Sequence, residues 1–139
     1  MVRRAQKDRK ALRRARSEAE TSLSSRQGSY IPPDREKCKA RQWVQAYDDA
    51  STVRVQFNLW SLDGLPVDFA IIVQRLGTDG WDDVERYDCC HGHCHLHADG
   101  KDSSASIYQL DTQDDVKVAL TRAEAESADR ARIIRDKER

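Results

Sequence analysis

No stretch of this chain is apolar for the roughly 18 residues that a membrane span requires. The basic N-terminus leads into more polar residues and not into the apolar stretch of a secretory signal, so the expected location is the cytoplasm, with thiols reduced. There is no CxxC or HExxH spacing of the kind that marks zinc sites, no internal repeat and no low-complexity tract. A disulfide framework is also excluded. Three of the four cysteines fall within six residues, and adjacent Cys89 and Cys90 could pair only in a strained ring. Apolar residues are scarce, 38% against 35% charged, which fits a small core with long solvated elements better than a large enzyme interior. At 139 residues one domain with some unfolded margin is expected.

The formal net charge is zero, but it is unevenly spread. Residues 1–16 carry eight bases against the single acid Asp8, so a basic arm is attached to an acidic body. Residues 1–25 lack a stripe wide enough to bury, and residues 24–33, with Gly28 and Pro32-Pro33, read as a linker. Residues 1–33 are thus arm and linker, and 34–139 the domain. Arg3, Arg4, Arg13 and Arg14 suit contacts to the phosphates of a nucleic acid. The same charge would serve a tail that only keeps the protein soluble.

Asp34, after two prolines, is placed to cap a helix reaching residue 47 or 49, with Ala40, Trp43, Val44 and Tyr47 on one face. From residue 51 the period changes to two: Val53, Val55, Phe57 and Leu59 alternate with polar residues and Trp60. Asp63-Gly64 is a hairpin turn signal. Further strands follow at 67–76, 81–90 and 93–98, with a fifth at 105–110, giving an antiparallel meander of four to five strands. Asp111 and Thr112 then open a long C-terminal helix, with Asp114 and Asp115 in its first turn. Its apolar stripe thins beyond Ala125, so its end is expected to project or meet a partner. The fold class is α+β: a preceding helix, the meander, and the closing helix.

All four histidines and three of the four cysteines lie between Arg86 and His97. With a hairpin turn centred on His91-Gly92, Cys90 faces His93, Asp88 faces His95 and Arg86 faces His97, all six side chains on one face. Tyr87, Cys89, Cys94 and Leu96 then point to the other face, the natural core side. Asp88 opposite His95 is the arrangement that fixes an imidazole's tautomer, and Arg86 near His97 suits a phosphate or developing anion. Histidines titrate near neutrality, so His95 and His97 can supply general acid and general base. RNA needs no metal for such cleavage, because its 2′-hydroxyl is an internal nucleophile. His91 and His93, at the rim of the turn, are candidate substrate contacts. Zinc is the other reading of so many soft ligands, through Cys90, His93 and His95. Three alternating histidines span roughly 13 Å, too far for all to hold one ion, and the acid–base reading needs no cofactor.

The alternation His93-Cys94-His95-Leu96-His97-Ala98 resembles the signature of histidine-triad nucleotide hydrolases and transferases, in which the middle histidine, here His95, would be the nucleophile. A hairpin strand precedes this motif, however, where that family has a helix, and the first apolar position is Cys. A broader resemblance covers residues 52–125. Arg86-Tyr87-Asp88, His91-Gly92 and His95-x-His97, with a C-terminal segment opened by Thr112 and acids, resemble TumE-type toxins of prokaryotic toxin–antitoxin modules. That resemblance implies an antitoxin partner, RNA as target, and Tyr87, Asp88, His91, His95 and His97 in the site. The chain departs from the family in its Cys-rich turn, its basic arm and its long final helix. A non-catalytic interaction domain, with or without zinc, is the third reading, and the sequence is compatible with a homo-oligomer.

Overall fold

The structure is a computed structural model that describes residues 28–47, 49–90, 92–98 and 105–137. Six strands follow one another as an antiparallel meander, in the sheet order of the sequence: β1 (Lys39–Ala46), β2 (Val53–Leu62), β3 (Leu65–Gly77), β4 (Gly80–Cys90), β5 (His93–His97) and β6 (Ala105–Gln109). One helix, α1 (Gln113–Lys137), closes the fold. The α+β class, the meander and the long final helix are as the sequence predicts.

Two elements differ from expectation. Asp34 does cap a helical turn, its Oδ1 accepting from the Glu36 amide at 3.1 Å, but that turn is a 3₁₀ turn of three residues, Arg35–Lys37. The chain then extends into β1, so the sheet has six strands and the expected helix to residue 47 is absent. The apolar residues that mimic a helical stripe divide between two sheet faces. Trp43 lies on the helix side, stacked on Phe57 with centroids 5.2 Å apart, while Val44 is 52% exposed. Pairing with β2 along the whole of β1 satisfies one row of backbone groups and outweighs a weak helical period.

The second difference is the end of α1. Its buried stripe does not fade after Ala125 but continues in small residues, Ser127 and Ala131, to Ile134. Small side chains carry little apolar signal in a sequence, yet they let the helix lie close on the sheet. Polar contacts reinforce this part. Arg130 holds the fully buried Glu85 carboxylate of β4 at 2.6–3.0 Å, and Arg135 donates to the Tyr47 carbonyl at 3.1 Å. The start of α1 is capped from within: Asp115 accepts from the backbone amides of Asp111 and Thr112, both at 2.9 Å. Those bonds hold the Asp115 carboxyl below its ordinary pKa.

Helix α1 covers one face of the sheet only. The core lies beneath it: Val53, Val55 and Phe57 of β2, Phe69, Ile71 and Val73 of β3, Tyr87 and Cys89 of β4 and Cys94 of β5, against Val116, Ala119, Ala123, Ala131 and Ile134. Cys89 and Cys94 are register partners in that core, both as free thiols. The neighbouring Cys94 thiol, followed by burial, pushes the Cys89 thiol far above the ordinary range, so it is a packing group and not a nucleophile. The even-numbered residues of β2 and β3 form the opposite face, which no described helix covers.

Candidate functional site

The β4–β5 hairpin has the expected register: Arg86 opposes His97, Tyr87 opposes Leu96, Asp88 opposes His95, Cys89 opposes Cys94 and Cys90 opposes His93. Strand alternation then divides it. Tyr87, Cys89 and Cys94 are buried under α1 with Leu96 packed against them, and the charged and imidazole side chains lie on the open face. The turn works because Gly92 adopts a positive φ of 74° and because its backbone lies against that of Gly28. A Cβ on either glycine would overlap the other's backbone. The same junction receives a hydrogen bond from the Leu110 amide to the Gly92 carbonyl, at 2.7 Å.

On the open face Asp88 is the shared acid. Its Oδ2 lies 3.1 Å from Arg86 Nε and 3.6 Å from His97 Nε2. Asp88 is largely buried, whereas Arg86 and His97 are about half exposed and reach solvent. The imidazoles form a row, with centroids 5.6 Å apart from His93 to His95 and 6.5 Å apart from His95 to His97. That row can grip one anionic group between two neighbouring rings, with a guanidinium at its edge.

Other expected site residues are placed differently. Tyr87 is 0% exposed and faces the helix, so a substrate-positioning role for it is corrected: its register parity sends the ring into the core. Burial, followed by the nearby Glu126 and Glu85 carboxylates, pushes the pKa of its hydroxyl up. His93 is on the open face but only 3% exposed, which corrects its reading as a rim contact. Its Nδ1 is 3.0 Å from Ser106 Oγ of β6, and its buried Nε2 has no partner among the described residues. His91, Arg3, Arg4, Arg13, Arg14 and the Cys90 side chain lie outside the described residues, and with Cys90 so does part of the zinc set. Among the described residues no three His, Cys, Asp or Glu side chains are grouped to hold a metal ion.

Ser106 is the site-face residue that sequence reasoning missed. The β5–β6 ladder shifts register between Cys94 and His95, so no fixed sum of residue numbers identifies its partner. Two further clusters on this face combine tryptophan with arginine. Arg35 lies 3.8 Å over the Trp60 ring and bonds buried Asp68 at 2.8 Å. Arg54 lies 4.0 Å over Trp81 and bonds Gln74 at 2.7 Å. Both arrangements satisfy cations that would otherwise stand unshielded on the sheet.

The architecture is thus a small α+β protein with a six-stranded meander and one covered face. The chain belongs to the family described as "Domain of unknown function (DUF7718)", whose model matches residues 35–137. No curated protein and no solved structure matches it. Among the described residues no helix is long and apolar enough to cross a membrane.

Proposed function

We propose that the protein is a toxin-type, metal-independent endoribonuclease that works on the open face of the β4–β5 hairpin. The observation that supports this reading is the gathering of Arg86, Asp88, His95 and His97 on the face of one strand pair that α1 does not cover, with Asp88 in reach of both Arg86 and His97. The 2′-hydroxyl of the RNA attacks the adjacent phosphorus while one of His95 and His97 takes its proton. The other histidine protonates the departing 5′-oxygen, leaving a cyclic phosphate and a free 5′-hydroxyl. Asp88 holds the His97 ring in place, and Arg86 neutralises the charge that develops on the phosphoryl oxygens. Tyr87 supports the hairpin from beneath and touches no substrate.

Two further observations favour the reading. The segment at Gly28 packs on Gly92, so the chain leading to the basic residues 3–16 joins the domain beside the hairpin turn. A basic segment tethered at that point would add charge attraction for the RNA backbone. The exposed guanidinium and imidazole would also be a natural surface for an antitoxin to cover, which would silence the site without altering the fold.

The test is cleavage of unstructured RNA by purified protein in the presence of EDTA, alongside growth inhibition on expression. His95→Ala should lower cleavage by roughly 10²–10⁴-fold with the fold retained. Wild-type rates in both His95→Ala and His97→Ala would overturn the mechanism. Turnover of dinucleotides or nucleotide phosphoramidates, without action on RNA, would point to the histidine-triad reading instead.

A further inference from the structure

Helix α1 lies over β2 and β3, which leaves the helix side of β1 uncovered at the margin of the sheet. There Trp43, stacked on Phe57, joins Tyr47, Glu124 and Ala125 in lining a groove of about 470 Å³. The groove runs beside β1, which is an edge strand. Its eight residues pair with β2 without a bulge, seven of the eight are exposed, and no described residue pairs with its outer side.

The two edges of the sheet are protected very differently. Strand β6 has five residues and a shifted register, and the chain at Tyr30 bonds Leu110 just beyond it. Edges that must stay unpaired are commonly short, bulged or interrupted by proline. Strand β1 is neither short, bulged nor interrupted by proline; its edge charges, Lys39 and Arg41, lie in its N-terminal half, and Val44 beyond them stands 52% exposed.

We propose that β1 is a self-association interface, at which a second copy of this chain pairs antiparallel along it and joins two six-stranded sheets into one. Directly opposed residues of antiparallel strands share a face, so keeping both helices on one side pairs odd-numbered residues with odd. If the two-fold axis passes at Gln42, Arg41 opposes Trp43 of the second copy and Lys39 opposes its Gln45. If it passes at Trp43, Arg41 opposes Gln45 and Lys39 opposes Tyr47. Either register carries the cations of one copy to the aromatic groove of the other.

The charges fit this occupant. Strand β1 bears Lys39 and Arg41 and no acid, while among the described residues Glu124 is the one charged side chain that lines the groove, with Arg135 bonded to the Tyr47 carbonyl at its far end. Desolvation raises the Glu124 pKa, the state of a carboxylate that would gain from an arriving cation. Arg41 already lies 5.1 Å from the Trp43 ring centroid of its own chain, so cation–aromatic contact across the axis repeats chemistry that the strand already uses. The self-association does not depend on the reaction proposed above, because β1 and the histidine hairpin are separated by β2 and β3.

Sedimentation velocity and light scattering on the full chain test the proposal. The expected species is about 32 kDa, twice the 15.9 kDa chain. Val44→Asp puts a charge near the axis on a side chain that the single copy leaves exposed. It should weaken association at least about tenfold with the thermal melt of the monomer unchanged. Glu124→Gln, away from the strand backbone, should weaken it by a smaller factor and make it less sensitive to salt. A 15.9 kDa species at high micromolar concentration would overturn the proposal. So would a dimer that Val44→Asp leaves intact.

Discussion

The two faces of the β4–β5 hairpin are made from the same few residues and do opposite work. Tyr87, Cys89 and Cys94 are buried among the apolar side chains beneath α1. One residue away along each strand, Arg86, Asp88, His95 and His97 form a polar row, with Arg86 and His97 reaching solvent. A strand can serve both faces because side-chain direction reverses at every residue, whereas a helix would smear the same sequence around its circumference. The apolar face therefore sets how well the polar face is held. Stability should reside in one set of residues and chemistry in the other.

The largest expected effect tests the stability half of that division. Tyr87→Ala removes the largest fully buried side chain of the core and should cost about 3–5 kcal/mol in chemical denaturation. The activity per folded molecule should change little. A loss of cleavage with stability intact would mean that Tyr87 acts in the site after all. Next comes Arg130→Ala, which strands the fully buried Glu85 carboxylate. Because Arg130 is itself one-third exposed, the loss should fall at the lower end of the roughly 3–5 kcal/mol seen when a buried pair is broken. Replacing both partners by apolar residues should recover much of it.

The chemical half is tested by Asp88→Asn. The substitution keeps the shape of the side chain that lies 3.6 Å from His97 but removes its charge. Cleavage should fall by roughly ten- to a hundredfold while the melting transition moves little, and the pH profile of the reaction should shift. An unchanged profile would show that Asp88 serves only the Arg86 ion pair.

The smallest effect lies away from both faces, at the helix start. Asp115→Ala removes the acceptor for the Asp111 and Thr112 amides and should cost about 0.5–1 kcal/mol. The pH dependence has a definite sign. The Asp115 pKa is lowered from 3.8 by those bonds, so the folded state binds fewer protons there than the unfolded chain. Its contribution is complete above 3.8 and is lost as pH falls below that value through the folded-state pKa. Protection factors for amide exchange in the first turn of α1, corrected for the intrinsic rate, should therefore fall in acid in the wild type more than in Asp115→Ala.

Much of the site was legible before any tertiary information. The turn at His91-Gly92 sets residue pairs for the whole hairpin, and Gly92 takes the left-handed conformation such a turn requires. The Asp63-Gly64 turn is likewise left-handed at both positions, with φ of 53° and 79°. What was not legible depended on neighbours distant in sequence. Asp88 opposes His95 in register, and its 3.6 Å approach to His97, one pair along the ladder, does not follow from register alone. His93 looked accessible at the turn, and its burial and its Ser106 contact require β6 beside it. The span 39–46 carried a helical spacing that is outweighed once β2 offers a full row of hydrogen-bond partners.

By itself the sequence determined the alternating strands from residue 53 onward, the hairpin register, and the division of residues 86–97 into an apolar and a polar face. These follow from local geometry: a two-residue period, turn residues that tolerate positive φ, and acids that cap a helix. Tertiary structure alone decided that β1 is a strand, that α1 stays docked to Ile134, and that α1 covers one face of the sheet and not the other. Those outcomes depend on which surfaces meet. Small residues such as Ser127 and Ala131, or an edge strand with a single part-buried tryptophan, gain their stability from the partner they pack on and not from any pattern of their own.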